Sequence, residues 1–202
     1  MHHSDFTTVT TVDTLAKLLD VCGELRASEQ VDERIVTGCS FDSRAVSAGD
    51  VFFCKGAAFK PAFLGMALDA GAVAFVCEES LVESLEPLAQ ESGAAMLVVR
   101  SVRTAMALLP PEVYDRPDHD VKIVGITGTK GKTTAAFMLQ SIIKAAGESC
   151  GMIGSVSTDD GIECYESTNT TPEAPEVWRH IANCRTSGRQ SMVMEVSSQA
   201  LK

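Results

Sequence analysis

Basic residues are scarce in this sequence: 17 lysines and arginines face 27 aspartates and glutamates over 202 residues, a formal charge of -10. That balance excludes a broad basic face for nucleic acid or anionic lipid, while leaving room for local basic sites that hold phosphate. Long apolar runs are missing as well. No stretch approaches the about eighteen residues that span a bilayer, and the N-terminus MHHSDFTTVTTVD has no cationic segment leading into an apolar one. The expectation is a cytoplasmic chain, monomeric, without membrane or nucleic-acid partners. Paired cysteines are absent too: seven are dispersed without any C-x-x-C, several inside apolar runs such as VFFCK and AFVCEE. This reads as reduced core thiols, not as a disulfide framework or a zinc site. His119 and His180 lack metal-ligand spacing and read as surface or structural residues. What is present is a chain 45% apolar, enough for one large or two small domains with cores.

Along the chain, Leu15, Leu18, Leu19 and Cys22 fall at helical spacing behind Asp13, a candidate N-cap. Residues 35–41 and 51–54 read as strands separated by the turn-rich SRAVSAGD. Helix is predicted over 61–70, strand over 72–77, helix over 81–92 and strand over 95–99, the alternation of an α/β domain. PPEVYDRPDHD, 110–120, has the composition of a linker. Beyond it VKIVGIT is an apolar strand, and KTTAAFMLQSIIKAAG is a helix with Phe137, Met138, Ile142 and Ala145 on one stripe. Then come the strand CGMIGSV, a polar stretch to Thr170, a helix opening at TPEAPEVWRHIANC and the strand SMVMEV. The expected fold is α/β: a small N-terminal α/β domain over 1–112, followed by an incomplete P-loop-type parallel sheet domain over 121–202. About three strands fall below the usual sheet size, so the chain reads as the N-terminal part of a protein continuing for about 250 to 300 residues more.

Between the strand and helix of the second half lies GITGTKGKTT. A glycine-rich turn there presents backbone N–H groups to an anion, and the helix N-terminus adds its dipole. Gly128 and Gly131 allow close approach, Lys132 reaches outer phosphates, the Thr133 hydroxyl can ligate magnesium, and Thr134 adds a hydroxyl. The strict pattern G-x-x-x-x-G-K-[ST] requires glycine at 126, where this chain has Ile126. The spacing is instead G-x-x-G-x-x-G-K-T-T. Such a site needs an acid at the end of a neighbouring strand, and Glu195 closes SMVM there. It reads either as a magnesium ligand or as an ordinary strand-end acid.

GITGTKGKTT, STNTTPEA (167–174), MEVSSQAL (194–201) and FDSRAVSAGDVFF (41–53) together resemble the Mur ligases, and within them the tripeptide-synthetase branch. The resemblance implies an ATP-dependent amide ligase of peptidoglycan precursor synthesis. A free carboxylate of UDP-N-acetylmuramoyl-L-alanyl-D-glutamate attacks the terminal phosphate of ATP, and a diamino acid, meso-diaminopimelate or L-lysine, displaces phosphate from the acyl phosphate. Carried over by position, Gly128, Thr129, Lys130, Gly131, Lys132, Thr133 and Thr134 bind ATP. Lys132 and Glu195 serve catalysis, and Thr133 and Glu195 hold Mg2+. Ser43 contacts the uridine part of the substrate, and Asn169, Thr170, Thr171 and Ser197 its muramoyl side.

Local structural roles compete with each of these. Asp42-Ser43-Arg44 also reads as a turn with an ion pair. Thr171 and Pro172 also read as the N-cap and first residue of a helix, Ser197 and Ser198 as strand-end caps, and Trp178 as packing. Lys130 stands where the family often has asparagine, Gln199 where it has histidine. KGAAFKPAF (55–63) replaces the family's usual uridine-side stretch, although Lys60 could serve a diphosphate. The family's carbamylated lysine lies further along than Lys202. A D-alanyl-D-alanine-adding Mur ligase would lack the N-T-T-P-E and E-V-S-S pair, and a folylpolyglutamate synthetase the D-S-R domain. A non-catalytic nucleotide or UDP-sugar binding module is the reading from another class, and the 202-residue chain alone is expected to be inactive.

Overall fold

The computed structural model describes residues 9–200. Residues 1–8, Leu201 and Lys202 lie outside them. Between Asp115 and Arg116 the chain divides into two compact units.

The first unit begins with α1 (Val12–Val21), which buries Leu15, Ala16 and Leu19 on one face. Its N-cap is Thr11, whose hydroxyl accepts from Thr14 N at 3.2 Å, while Asp13 sits inside the first turn. The expectation of Asp13 as cap fails because the helix already starts at Val12, with the Thr11 hydroxyl capping its third N–H. Five strands follow: β1 (Leu25–Glu29), β2 (Gly38–Ser40), β3 (Asp50–Phe53), β4 (Ala74–Glu78) and β5 (Ala95–Val99). Their spatial order is β1-β5-β4-β3-β2, with β2 to β5 parallel and β1 antiparallel at the edge.

Strict alternation of side chains explains why the central strands read as unbroken apolar runs. Val51, Phe53, Ala74, Val76, Ala95 and Leu97 point to one core, against α1 and α4 (Val102–Val113). Phe52, Phe75, Cys77, Met96 and Val98 point to the other, against α2 (Pro61–Asp69) and α3 (Val82–Ser92). The strand expected over 35–41 is reduced to the three residues of β2.

The linker expected over 110–120 is corrected: α4 runs through Pro110 and Pro111 to Val113, and residues 117–119 form a 3-10 turn. Two prolines near a helix C-terminus forfeit few hydrogen bonds, and burial of Leu109, Pro110, Pro111 and Val113 outweighs that loss. After them, Asp115 and Arg116 both have left-handed φ (55° and 44°).

The second unit has five strands in the order β6-β10-β7-β8-β9. β6 (Lys122–Ile126), β10 (Ser191–Glu195) and β7 (Cys150–Ile153) are parallel, as expected. β8 (Ser157–Asp159) and β9 (Cys164–Glu166) extend the sheet antiparallel, making it mixed. They lie in the stretch expected only to be polar, where three-residue strands leave almost no alternation to read. α5 (Lys132–Ala145) connects β6 to β7, and α6 (Ala174–Thr186) leads into β10. Ala136, Leu139, Gln140 and Ile143 face inward on α5. The stripe expected to pack has Phe137, Met138 and Ile142 exposed at 38, 61 and 63%.

Candidate active site

Strand order and register assemble this site. β10 is last in the chain yet lies between β6 and β7, so the carboxyl ends of three strands converge where the connections diverge, the crevice that open α/β sheets use for ligands. Register pairs Glu195 with Ile126 and Met194 with Ile153. Glu195 therefore stands level with the start of the glycine loop on one side and with Gly154 and Ser155 on the other.

Gly128 and Gly131 have φ of 149° and 78°, conformations that a side chain resists, and Gly131 is the residue from which α5 starts. Lys132 folds back so that Nζ donates to the Gly128 carbonyl at 2.8 Å, holding its charge over the loop. The Thr133 hydroxyl donates to Glu195 Oε2 at 2.9 Å. Thr129, Lys130 and Thr134 are exposed around them.

Glu195 is only 1% exposed. Besides Thr133, it accepts from the Ser155 N–H (2.9 Å, on Oε1) and lies 3.2 Å from the Ser155 hydroxyl, on Oε2. These donors are neutral, so the charge of a buried carboxylate is left for a cation to balance. A hydroxyl and a carboxylate side by side are hard oxygen donors of the kind magnesium selects. Gly154 keeps this arrangement open, because a Cβ there would collide with Glu195 Oε1.

The substrate-side candidates of this unit gather at the same edge. The Thr171 hydroxyl donates to the Glu195 carbonyl and accepts from Ser197 N, each at 2.9 Å. Ser197 Oγ in turn accepts from Ala200 N, the turn-capping role also expected for it. Thr170 Oγ1 lies 3.0 Å from Ser155 Oγ, and Asn169 is exposed beside them in the chain. Thr171 does not cap the following helix. Glu173 does, in a capping box with Glu176, and Pro175 occupies the first turn. The local sequence offered two starts two residues apart, and the reciprocal Glu173–Glu176 pairing satisfies more orphan N–H groups than a lone threonine.

Ser43 belongs to the first unit. It lies in a cavity of about 430 Å³ lined also by Phe41, Arg44, Lys55, Phe59 and Met66. Lys55 Nζ sits 5.2 Å from the centre of the Phe41 ring. Asp42 and Arg44 form the expected ion pair at 2.6 Å, which lowers the Asp42 carboxyl to a pKa of about 2. The stretch 55–63 thus shares a cavity with the D-S-R segment, through Lys55 and Phe59; Lys60 is exposed at the start of α2.

Sequence reasoning missed Gly154 and Ser155. The available signal was a Gly-Ser pair directly after the apolar run CGMI, at the end of a strand neighbouring the loop strand. It also missed that Asp160, Glu163 and His180 meet in space. His180 is fully buried, its ring nitrogens 2.6 Å from Asp160 Oδ2 and 3.1 Å from Tyr165 Oη. Five of the seven free cysteines are buried; Cys22 and Cys164 are exposed.

A family model described as the Mur ligase middle domain matches residues 126–202. The UDP-N-acetylmuramyl-tripeptide synthetase of Lactobacillus delbrueckii subsp. bulgaricus is 39% identical over 180 residues, 87% of this chain and 34% of that protein. The UDP-N-acetylmuramoyl-L-alanyl-D-glutamate--L-lysine ligase of Enterococcus faecalis is 38% identical over 181 residues, 88% of this chain and 34% of that protein. Among solved structures, a UDP-N-acetylmuramoyl-L-alanyl-D-glutamate--2,6-diaminopimelate ligase superposes with a TM-score of 0.70 at 18% identity, over 96% of this chain and 37% of that one. MurF from Acinetobacter baumannii superposes at 0.61 and 20%, over 94% and 36%. At these identities the structures establish a shared fold. The chain spans about a third of the length of the curated relatives it matches.

Proposed function

Because the chain belongs to the Mur ligase family, we propose that it supplies the ATP side and the UDP-sugar side of an amide ligase of peptidoglycan precursor synthesis. One observation carries this reading: the Thr133 hydroxyl and the buried Glu195 carboxylate lie 2.9 Å apart directly beside the glycine loop. Phosphoryl transfer asks a protein mainly for positioning and charge neutralisation.

The loop N–H groups and the α5 N-terminus hold the phosphates of ATP, and Lys132 moves from the Gly128 carbonyl to the outer ones. Thr133 and Glu195 are the residues that would hold magnesium, and the ion would supply charge neutralisation for phosphate there. Asn169, Thr170, Thr171 and Ser197 orient the muramoyl peptide so that its carboxylate oxygen takes the terminal phosphoryl group and ADP leaves. The amine of lysine or diaminopimelate then attacks the acyl carbon, and phosphate departs with the carbon–oxygen bond. In the first unit, the cavity around Ser43 takes the uridine end, with Phe41 and Phe59 as apolar surfaces and Lys55 and Arg44 as cations.

The test is calorimetric titration of the 202-residue chain with ADP and magnesium, beside the Lys132→Ala variant. Micromolar binding by the wild type and a loss of at least about tenfold in the variant are expected, from removal of a charge-assisted contact worth about 1.5–3 kcal/mol. Absence of nucleotide binding by the wild type would sink the proposal. Steady ATP turnover by this chain would show that the remaining two thirds of the relatives' length is dispensable.

A further inference from the structure

One residue outside every motif stands where the two halves of the second unit's site meet. Ser155 follows Gly154 in the turn that joins β7 to β8, and it contacts Glu195 twice, with its N–H on Oε1 and its hydroxyl on Oε2. The same hydroxyl reaches Thr170 Oγ1 at 3.0 Å. Thr133, Glu195, Ser155 and Thr170 therefore form a continuous chain of polar contacts from the glycine loop to the threonine loop.

We propose that Ser155 is a positioning residue: it fixes the Glu195 carboxylate for the metal and ties it to the loop carrying Asn169 and Thr170. The proposal rests on the ATP-ligase reading above. The geometry requires such a residue. A carboxylate on a strand end has rotational freedom about its terminal torsion, which Thr133 on one oxygen alone does not remove. The Ser155 N–H on Oε1 sets the plane of the carboxylate, and the Ser155 hydroxyl keeps Oε2 held when the Thr133 hydroxyl turns from that oxygen to a metal. Partners of this kind, which orient a metal ligand without touching the metal, change metal affinity by about 10–100-fold when removed. Ser155 is exposed, and its backbone N–H bond survives substitution, so replacing the side chain tests the hydroxyl alone.

The experiment compares wild type, Ser155→Ala and Ser155→Thr, titrated with ADP in the presence of magnesium and again in the presence of a chelator, with thermal melts alongside. S155A is expected to weaken ADP binding about tenfold with magnesium and to leave magnesium-free binding and the melting temperature unchanged. S155T, which keeps a hydroxyl, is expected to recover most of the loss. Thr170→Val, which removes the far anchor while leaving both Glu195 contacts, is expected to give a smaller loss of the same magnesium-selective kind. Equal losses with and without magnesium, or an S155A variant that binds like wild type, would overturn the proposal while leaving the nucleotide site standing. A wild type that binds no ADP would overturn both.

Discussion

Asp160 shows how much a single buried carboxylate can organise. Burial pushes its pKa up, but the N–H of Glu163, the His180 ring, Asn183 Nδ2 and the N–H of Ile162 more than offset this, and the group titrates below the ordinary carboxylate range. A depressed folded pKa stabilises the fold above the unfolded value of about 3.9, and the contribution disappears as pH falls through the folded value. Asp160→Asn keeps an acceptor for the two N–H groups but turns an amide donor toward His180 and Asn183, both donors already. A loss of about 1.5–3 kcal/mol at pH 7 is expected, shrinking below about pH 4, and urea unfolding at both pH values measures it. A variant gap that does not narrow in acid would mean that the carboxylate is not the charged partner. None of this was legible in the sequence, since Asp160 and His180 are twenty residues apart and meet only when β8 and β9 fold against α6. That Thr133 and Glu195 meet beside the glycine loop was legible, because a strand–glycine turn–helix with a lysine and a hydroxyl at fixed spacing calls for an acid at the end of a neighbouring strand.

At the scale of elements, the strands of the first unit were the most readable, because burial on both faces makes each an apolar run bounded by turns. α4 and the β8–β9 pair were not. Two adjacent prolines signal a helix stop that tertiary burial overrides, and three-residue strands carry no period. The α5 stripe misled for a different reason: apolar residues at helical spacing show that a face exists, not what covers it. Small residues decide how closely elements approach, and Gly151 in β7 is such a place. A Cβ there would collide with Cys184 Sγ on α6, whose own packing is tight enough that burial pushes its thiol pKa up to about 12. Gly151→Ala is expected to destabilise by about 1–3 kcal/mol through overpacking, and Cys184→Ala in the same chain to restore part of it. Denaturant midpoints of the two single variants and the double variant settle this. A double variant no better than the sum of the singles would place the strain elsewhere.

Taken whole, the two units differ in how completely their sheets are covered. The first has apolar clusters on both faces of β3, β4 and β5, all three fully buried apart from Glu78 at the end of β4. The second has β10 and β7 buried at its centre, but its outer strand β6 is exposed along four of its five residues, Ile123 and Val124 among them. The α/β class of both units was readable from the alternation of elements. The insertion of β10 between β6 and β7 was not, because strand order lies in crossovers that leave no local mark. Edge position has a measurable consequence, since an outer strand pairs on one side only and opens at low free-energy cost. Amide exchange of this chain is expected to be slowest in β3, β4, β5 and β10 and markedly faster in β6, even though β6 carries the loop that the site depends on. Protection of β6 equal to that of β10, persisting on dilution, would contradict an open edge. Protection lost on dilution would show that copies of the chain cover it at high concentration. Adding ADP with magnesium is expected to slow exchange at the end of β6 and the start of α5 alone, because the ligand adds its contacts where the strand is least held.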